Sequence, residues 1–142
     1  MTLIQAAAVF CGVTCGLLAL LHVYWAFGGK IGILAALPEQ GGKPVFTPSK
    51  SMTILVALAL GFAAIVALHA GHVLTSTVLS SRLSAWFCLG LAAVFLFRAI
   101  GDFKLVGFAK TVKGTRFARQ DTLYYSPLCL LLSSGYFVVG YW

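Results

Sequence analysis

The chain has 142 residues, 61% of them hydrophobic and only 9% charged, with ten Lys and Arg against three Asp and Glu. A water-soluble domain carries roughly a quarter charged residues, so this composition excludes an ordinary soluble fold. The net charge of +7 does not mark a nucleic-acid binder, because the apolar runs leave no soluble domain to present it.

Four apolar runs, over residues 3–27, 53–74, 83–100 and 123–142, dominate the chain. Each is about as long as the ~20 helical residues that cross a hydrocarbon core. In hydrocarbon every backbone N–H and C=O must be paired within its own segment, so the runs are expected as helices. Polar and apolar residues do not alternate along them, which excludes a β-barrel. The expected fold is all-α, a four-transmembrane-helix antiparallel bundle forming one transmembrane domain over residues 1–142.

The first run has no basic residue before it and an apolar core too long for a secretory signal, so it reads as a retained helix. A 4-3 spacing along it selects Ala8, Gly12, Cys15, Ala19, His22 and Ala26. Such small-residue stripes let helix backbones approach closely, and Gly12-x-x-x-Gly16 overlaps this one. The connection 28–51 holds an apolar stretch, Ile31 to Leu37, then Pro38, Gly41-Gly42, Pro44 and Pro48. That pattern predicts an interfacial half-helix followed by an irregular loop. The second run carries His69 and His72 on one face, and a short polar connection, 75–84, follows it.

His69, His72, Cys11, Cys15 and Cys88 fall at comparable depth, and imidazole and thiolate groups suit copper, zinc or haem. No CxxC or other metal-ligand spacing is present, so neither a metal nor any other cofactor is expected. The cysteines read as small packing residues without a disulfide framework.

In the third run the same spacing selects Ser84, Cys88, Leu91, Phe95, Arg98 and Asp102; in the fourth, Thr122, Ser126, Cys129, Ser133 and Gly140, with Tyr136 between. The intervening connection interleaves Phe103, Phe108 and Phe117 with Lys104, Lys110, Lys113, Arg116 and Arg119. Aromatic and basic residues mixed in this way suit a lipid headgroup layer. The first and third connections together carry eight Lys and Arg, while Arg82 stands alone in the second. This bias predicts that both basic connections are cytoplasmic and both termini outside, with anionic headgroups as partner.

Ionisable groups inside a span are costly and are functional candidates by default. His22, Arg98 and Asp102 lie toward the cytoplasmic ends of their helices, and Asp121, Tyr124 and Tyr125 begin the fourth at the same level. The candidate ligand-binding set is His22, Trp25, Arg98, Asp102, Asp121 and Tyr125 around one cytoplasm-facing recess. Arg98 suits a phosphate or carboxylate, which guanidinium grips bidentately. His22 suits proton exchange near neutral pH. The same residues admit an architectural reading. Arg98 and Asp102 are an i, i+4 pair, Asp121 suits a helix cap, and Trp25, Tyr124 and Tyr125 suit an aromatic belt.

No phosphate-binding glycine loop, nucleophile elbow or metalloprotease helix is present. The expected role is therefore binding or transport of a small anionic molecule or lipid headgroup. The alternatives are an enzyme acting on a lipid or isoprenoid with His22 or Asp121 in acid–base roles, and a structural or assembly subunit. Whether copies of the chain associate stays open.

Three linked motifs, His22-Val-Tyr-Trp-Ala-Phe-Gly-Gly29, Arg98-Ala-Ile-Gly-Asp-Phe103 and Phe117-Ala-Arg-Gln-Asp121 with Tyr125-Ser-Pro-Leu-Cys129, carry a resemblance over essentially the whole chain. The chain resembles a family of small bacterial four-helix integral membrane proteins known only as a domain of unknown function. The family's recurrent positions correspond to His22, Trp25, Gly28, Gly29, Arg98, Gly101, Asp102, Phe117, Asp121, Tyr125 and Pro127. The resemblance implies a bacterial inner membrane and brings no activity, substrate or cofactor. His69, His72, Cys11 and Cys15 stand outside the pattern.

Overall fold

The computed structural model describes residues 1–74 and 79–142. Residues 75–78 of the expected polar connection 75–84 lie outside the described residues. In chain order the elements are α1 (Leu3–Ala26), a one-turn α2 (Ile33–Ala36), β1 (Glu39–Gln40), β2 (Lys43–Pro44), α3 (Lys50–Ala70) and α4 (Ser81–Ile100). Then α5 (Arg116–Gln120) runs through a π turn, Asp121–Tyr125, into α6 (Ser126–Tyr141). Four helices are long and apolar enough to cross a membrane: α1, α3, α4 and the composite Arg116–Tyr141.

Local chemistry explains the boundaries. Thr2 and Gln5 form a reciprocal capping box at α1, each bonding the other's backbone N–H. Ser49, Ser80 and Thr115 cap α3, α4 and α5 by accepting from the N–H three residues on. These caps move two starts from their expected places. The second helix begins at Lys50 rather than residue 53 and ends at Ala70, before Gly71. The fourth begins at Arg116 rather than residue 123, because the basic segment before Asp121 is already helical. The half-helix expected in the first connection is α2. The irregular loop expected after it is an antiparallel two-strand ladder, with Glu39 opposite Pro44.

α1 packs on α3 and α4 on α6, and contacts of α1 with α6 and α3 with α4 close the bundle. Ala8, Cys11, Cys15, Ala63, Ala67, Cys88 and Ala92 are buried, whereas Leu17, Leu20, Leu55, Leu58, Val94 and Phe137 are exposed. Small residues inside and bulky apolar residues outside reverse the pattern of a water-soluble bundle. Gly12 shows why: a Cβ there would come within 2.6 Å of Leu68 Cγ, while one at Gly16 would meet nothing. Only the first glycine of the GxxxG pair is at a helix contact.

The α4–α6 seam repeats every seven residues. Ala85 and Ala92 on α4 run against Gly140 and Ser133 on α6. Gly140 lies against the Ala85 carbonyl, and Ser133 Oγ donates to the Ala92 carbonyl at 2.8 Å. These two contacts set the antiparallel register.

Tyr136 is fully buried at the bundle centre. Its hydroxyl donates to the Ala63 carbonyl at 2.8 Å and lies 3.4 Å from Cys15 Sγ, and its ring stacks on Phe95. Tyr136→Phe is expected to cost about 0.6 kcal/mol, the average for an interhelical hydrogen bond in a membrane bundle. Tyr136→Ala, which empties the site, is expected to cost about 3–5 kcal/mol. Reversible unfolding in mixed detergent micelles reads both; equal costs would refute this account of the core.

Candidate functional site

The polar groups gather at the end of the bundle that carries connections 27–49 and 101–115. Asp121, wholly inaccessible, is the hub. Its Oδ1 accepts from Arg98 Nη2 at 2.9 Å, and its Oδ2 accepts from Lys110 Nζ at 2.9 Å and from the Gly107 N–H at 2.8 Å. Lys110 is also buried, with its side chain 3% exposed, and donates further to the Gly107 carbonyl and Thr122 Oγ1. All three ammonium protons therefore have acceptors. Arg98 is 35% exposed, and its Nη1 is buried without a hydrogen-bond partner among the described residues. Two cations against one carboxylate leave this cluster with a net charge of +1.

A loop is folded back to reach Asp121. Gly101 leaves α4 at φ 96°, ψ −171°, a conformation open essentially to glycine alone. The chain then returns so that the N–H groups of Phe108 and Ala109 donate to the Ala99 and Ile100 carbonyls, which the end of α4 leaves unpaired. Asp102 closes the loop: its Oδ1 accepts from the N–H groups of Lys104, Leu105 and Val106 at 2.7–3.0 Å. Burial opposes the charge on Asp102, but these donors outweigh it and hold the carboxyl below its ordinary range. The loop is thus built on the anionic form, and this support fades as pH falls through the range where Asp102 protonates.

The remaining candidates gather around α2. His22 Nδ1 donates to the Leu18 carbonyl at 2.8 Å, and its ring meets Trp25 edge-on at 4.9 Å. Trp25 Nε1 donates to the Ile31 carbonyl and the Tyr125 hydroxyl to the Ala35 carbonyl. The two aromatic residues therefore tie the interfacial half-helix to α1 and to the π turn. Gly29 passes so close to Tyr24 that a Cβ there would collide with its ring.

The structure thus joins Arg98 directly to Asp121, holds Asp102 in the loop, and sets Trp25 and Tyr125 around α2, with His22 beside Trp25 on α1. Arg98 does not pair with Asp102, and the cap of the fourth helix is Thr115 rather than Asp121. Sequence reading placed Lys110 among the headgroup-facing basic residues; instead it is internal. Nothing in a run of five Lys and Arg distinguishes it. Gly107, whose N–H completes the hub, carries no such signal in the sequence either.

An open groove of about 520 Å³ runs beside the fourth helix, lined by Gly114, Thr115, Arg116, Arg119, Gln120, Leu123 and Tyr124. At the opposite end His69 Nδ1 lies 2.8 Å from Ser84 Oγ. Among the described residues no group of three or more His, Cys, Asp and Glu is placed to hold a metal ion, and the four cysteines are free thiols. A family model described as "Protein of unknown function (DUF3995)" matches residues 15–136. No curated protein and no solved structure matches the chain.

Proposed function

The chain belongs to the DUF3995 family, and we propose that it is a multi-pass protein of the bacterial inner membrane that binds a small anionic molecule or lipid headgroup at its basic end. One observation carries this reading: the cluster at Asp121 holds an excess positive charge, and Arg98 Nη1 is a buried donor with no acceptor among the described residues. A guanidinium has only donors to offer, so an anionic acceptor completes it. Arg116 and Arg119 in the adjoining groove draw phosphate-bearing groups to the same end. The positive-inside bias supports a cytoplasmic position for this end, and Lys110's burial still leaves seven basic residues in those connections against Arg82 alone.

In this reading Arg98 is the anion contact and Asp121 the group that orients Arg98. The saturation of Asp121 by three donors favours binding over acid–base catalysis at that residue.

Thermal unfolding of the detergent-purified protein, titrated with inorganic phosphate or glycerol phosphate, tests the proposal. A saturable rise of several degrees is expected for the wild type, and its loss in Arg98→Ala. Circular dichroism establishes that the variant is folded. Equal stabilisation of Arg98→Ala would overturn the assignment of Arg98, and no stabilisation of the wild type would overturn the binding reading.

A further inference from the structure

The groove beside the fourth helix shares no residue with the cluster at Asp121. Phe117, Ala118 and Asp121 are buried, whereas Arg116, Arg119, Leu123 and Tyr124 on the same helix are exposed. We infer that the groove is a second, separate site for one net-anionic glycerophospholipid, its phosphate between Arg116 and Arg119 and a chain along α6. The inference goes beyond the reading of Arg98, because it rests on a different pair of cations on the outer face of the helix.

The spacing of the two arginines suits one phosphate. Three residues apart on a helix, they are surface neighbours with Cβ atoms about 5–6 Å apart. Two guanidinium groups at that separation can converge on a single phosphate, each with its fork of donors. Without an anion they only repel each other. The two ion pairs among the described residues join Asp121 to Arg98 and Lys110, and Asp102 is engaged by its own loop. Glu39 stands on β1, which packs against α5, yet among the described residues it forms no ion pair with either arginine.

Size and position favour a lipid over a free ion. The groove, about 520 Å³, has room for a phosphate together with its glycerol. It spans Leu123, where the fourth apolar run begins, so its basic part meets the headgroup layer and the rest borders the hydrocarbon. Two turns past Leu123 the helix exposes Leu130 and Leu131, and Phe137 follows. A ligand charged at one end and apolar at the other matches that succession of surfaces; a soluble phosphate matches only its start. No acidic residue lines the groove, so the ammonium of a zwitterionic headgroup would meet no counter-charge there.

Thermal unfolding in neutral detergent, with phosphatidylglycerol, phosphatidylethanolamine or the chain-free glycerol phosphate added, is the test. Phosphatidylglycerol is expected to raise the melting temperature of the wild type saturably, and phosphatidylethanolamine to raise it less. Arg116→Gln/Arg119→Gln should bind phosphatidylglycerol about tenfold more weakly or worse, the effect of losing a hydrogen bond to a charged group. Lys43→Gln/Lys104→Gln, which removes the same charge from exposed positions elsewhere at this end, should bind it as the wild type does. All four side chains are exposed, so both variants should melt like the wild type in lipid-free detergent. Equal responses to the two lipids, or equal losses in the two double variants, would show diffuse attraction and overturn the site. A glycerol phosphate response lost in Arg116→Gln/Arg119→Gln would overturn the lipid in favour of a soluble ligand. Loss of the phosphatidylglycerol response in Arg98→Ala but not in the groove variant would overturn the groove and leave the Arg98 reading standing. A lipid response that needs Arg116 and Arg119, with no effect of Arg98→Ala on any anion, upholds the groove while the Arg98 reading falls.

Discussion

Asp121→Ala is expected to lower the unfolding free energy by about 3–5 kcal/mol, more than any other single removal at the ionic cluster. Its side chain is inaccessible, and its loss leaves the buried ammonium of Lys110 and the guanidinium of Arg98 without their counter-charge. Breaking a buried pair from one side costs this much because the remaining charge stays desolvated and uncompensated. The reverse removals are expected to cost less. Lys110→Met leaves Asp121 with Arg98 and the Gly107 N–H, and should cost about 1–3 kcal/mol. Arg98→Ala leaves Asp121 with Lys110, and the lost partner was itself partly exposed. Reversible unfolding in mixed micelles gives the ranking. Asp121→Ala within 1 kcal/mol of the wild type would show that the hub does not hold the loop end together.

Gly101→Ala is the second large effect expected. With φ at 96° and ψ at −171°, the backbone sits where a side chain is strained by about 1–3 kcal/mol. A Cβ would also strike the Val106 carbonyl, and backbone cannot move aside as a flexible side chain does. The loop must shift, and with it the Phe108 and Ala109 donors that finish α4 and the Gly107 N–H at Asp121. The expected signature is therefore coupling as well as destabilisation. In a double-mutant cycle Gly101→Ala and Asp121→Ala should be less than additive by at least 0.5 kcal/mol, since both disturb one network. Hydrogen exchange should quicken at residues 104–109 in either variant. Additive losses would separate the turn from the ionic hub.

The tie of α2 to Trp25 and Tyr125 shows how a sequence motif can be read without its geometry. His22 and Tyr125 are expected at one level of the bundle, and Trp25 stands one helical turn from His22. Their hydrogen bonds go to the Leu18, Ile31 and Ala35 carbonyls, which are backbone acceptors and leave no trace in residue types.

Composition and run length by themselves determined the four helices, because a chain this apolar must satisfy each backbone group within its own segment. The small-residue stripes of the first and fourth runs likewise announced their seams, whereas on α4 the contacts with α6 fall on Ala85 and Ala92, one residue beside the expected stripe. Only the tertiary structure decided which charges meet. Asp102 stands four residues after Arg98, yet α4 stops at Ile100 and Gly101 turns the chain, so no shared helix face exists to pair them. The carboxylate that reaches Arg98 comes instead from Asp121, brought back by the fourth helix, with Lys110 and Gly107 delivered by the loop between. Secondary structure here follows from local backbone demands. The ionic partners follow from where a glycine turn and the returning fourth helix place distant residues.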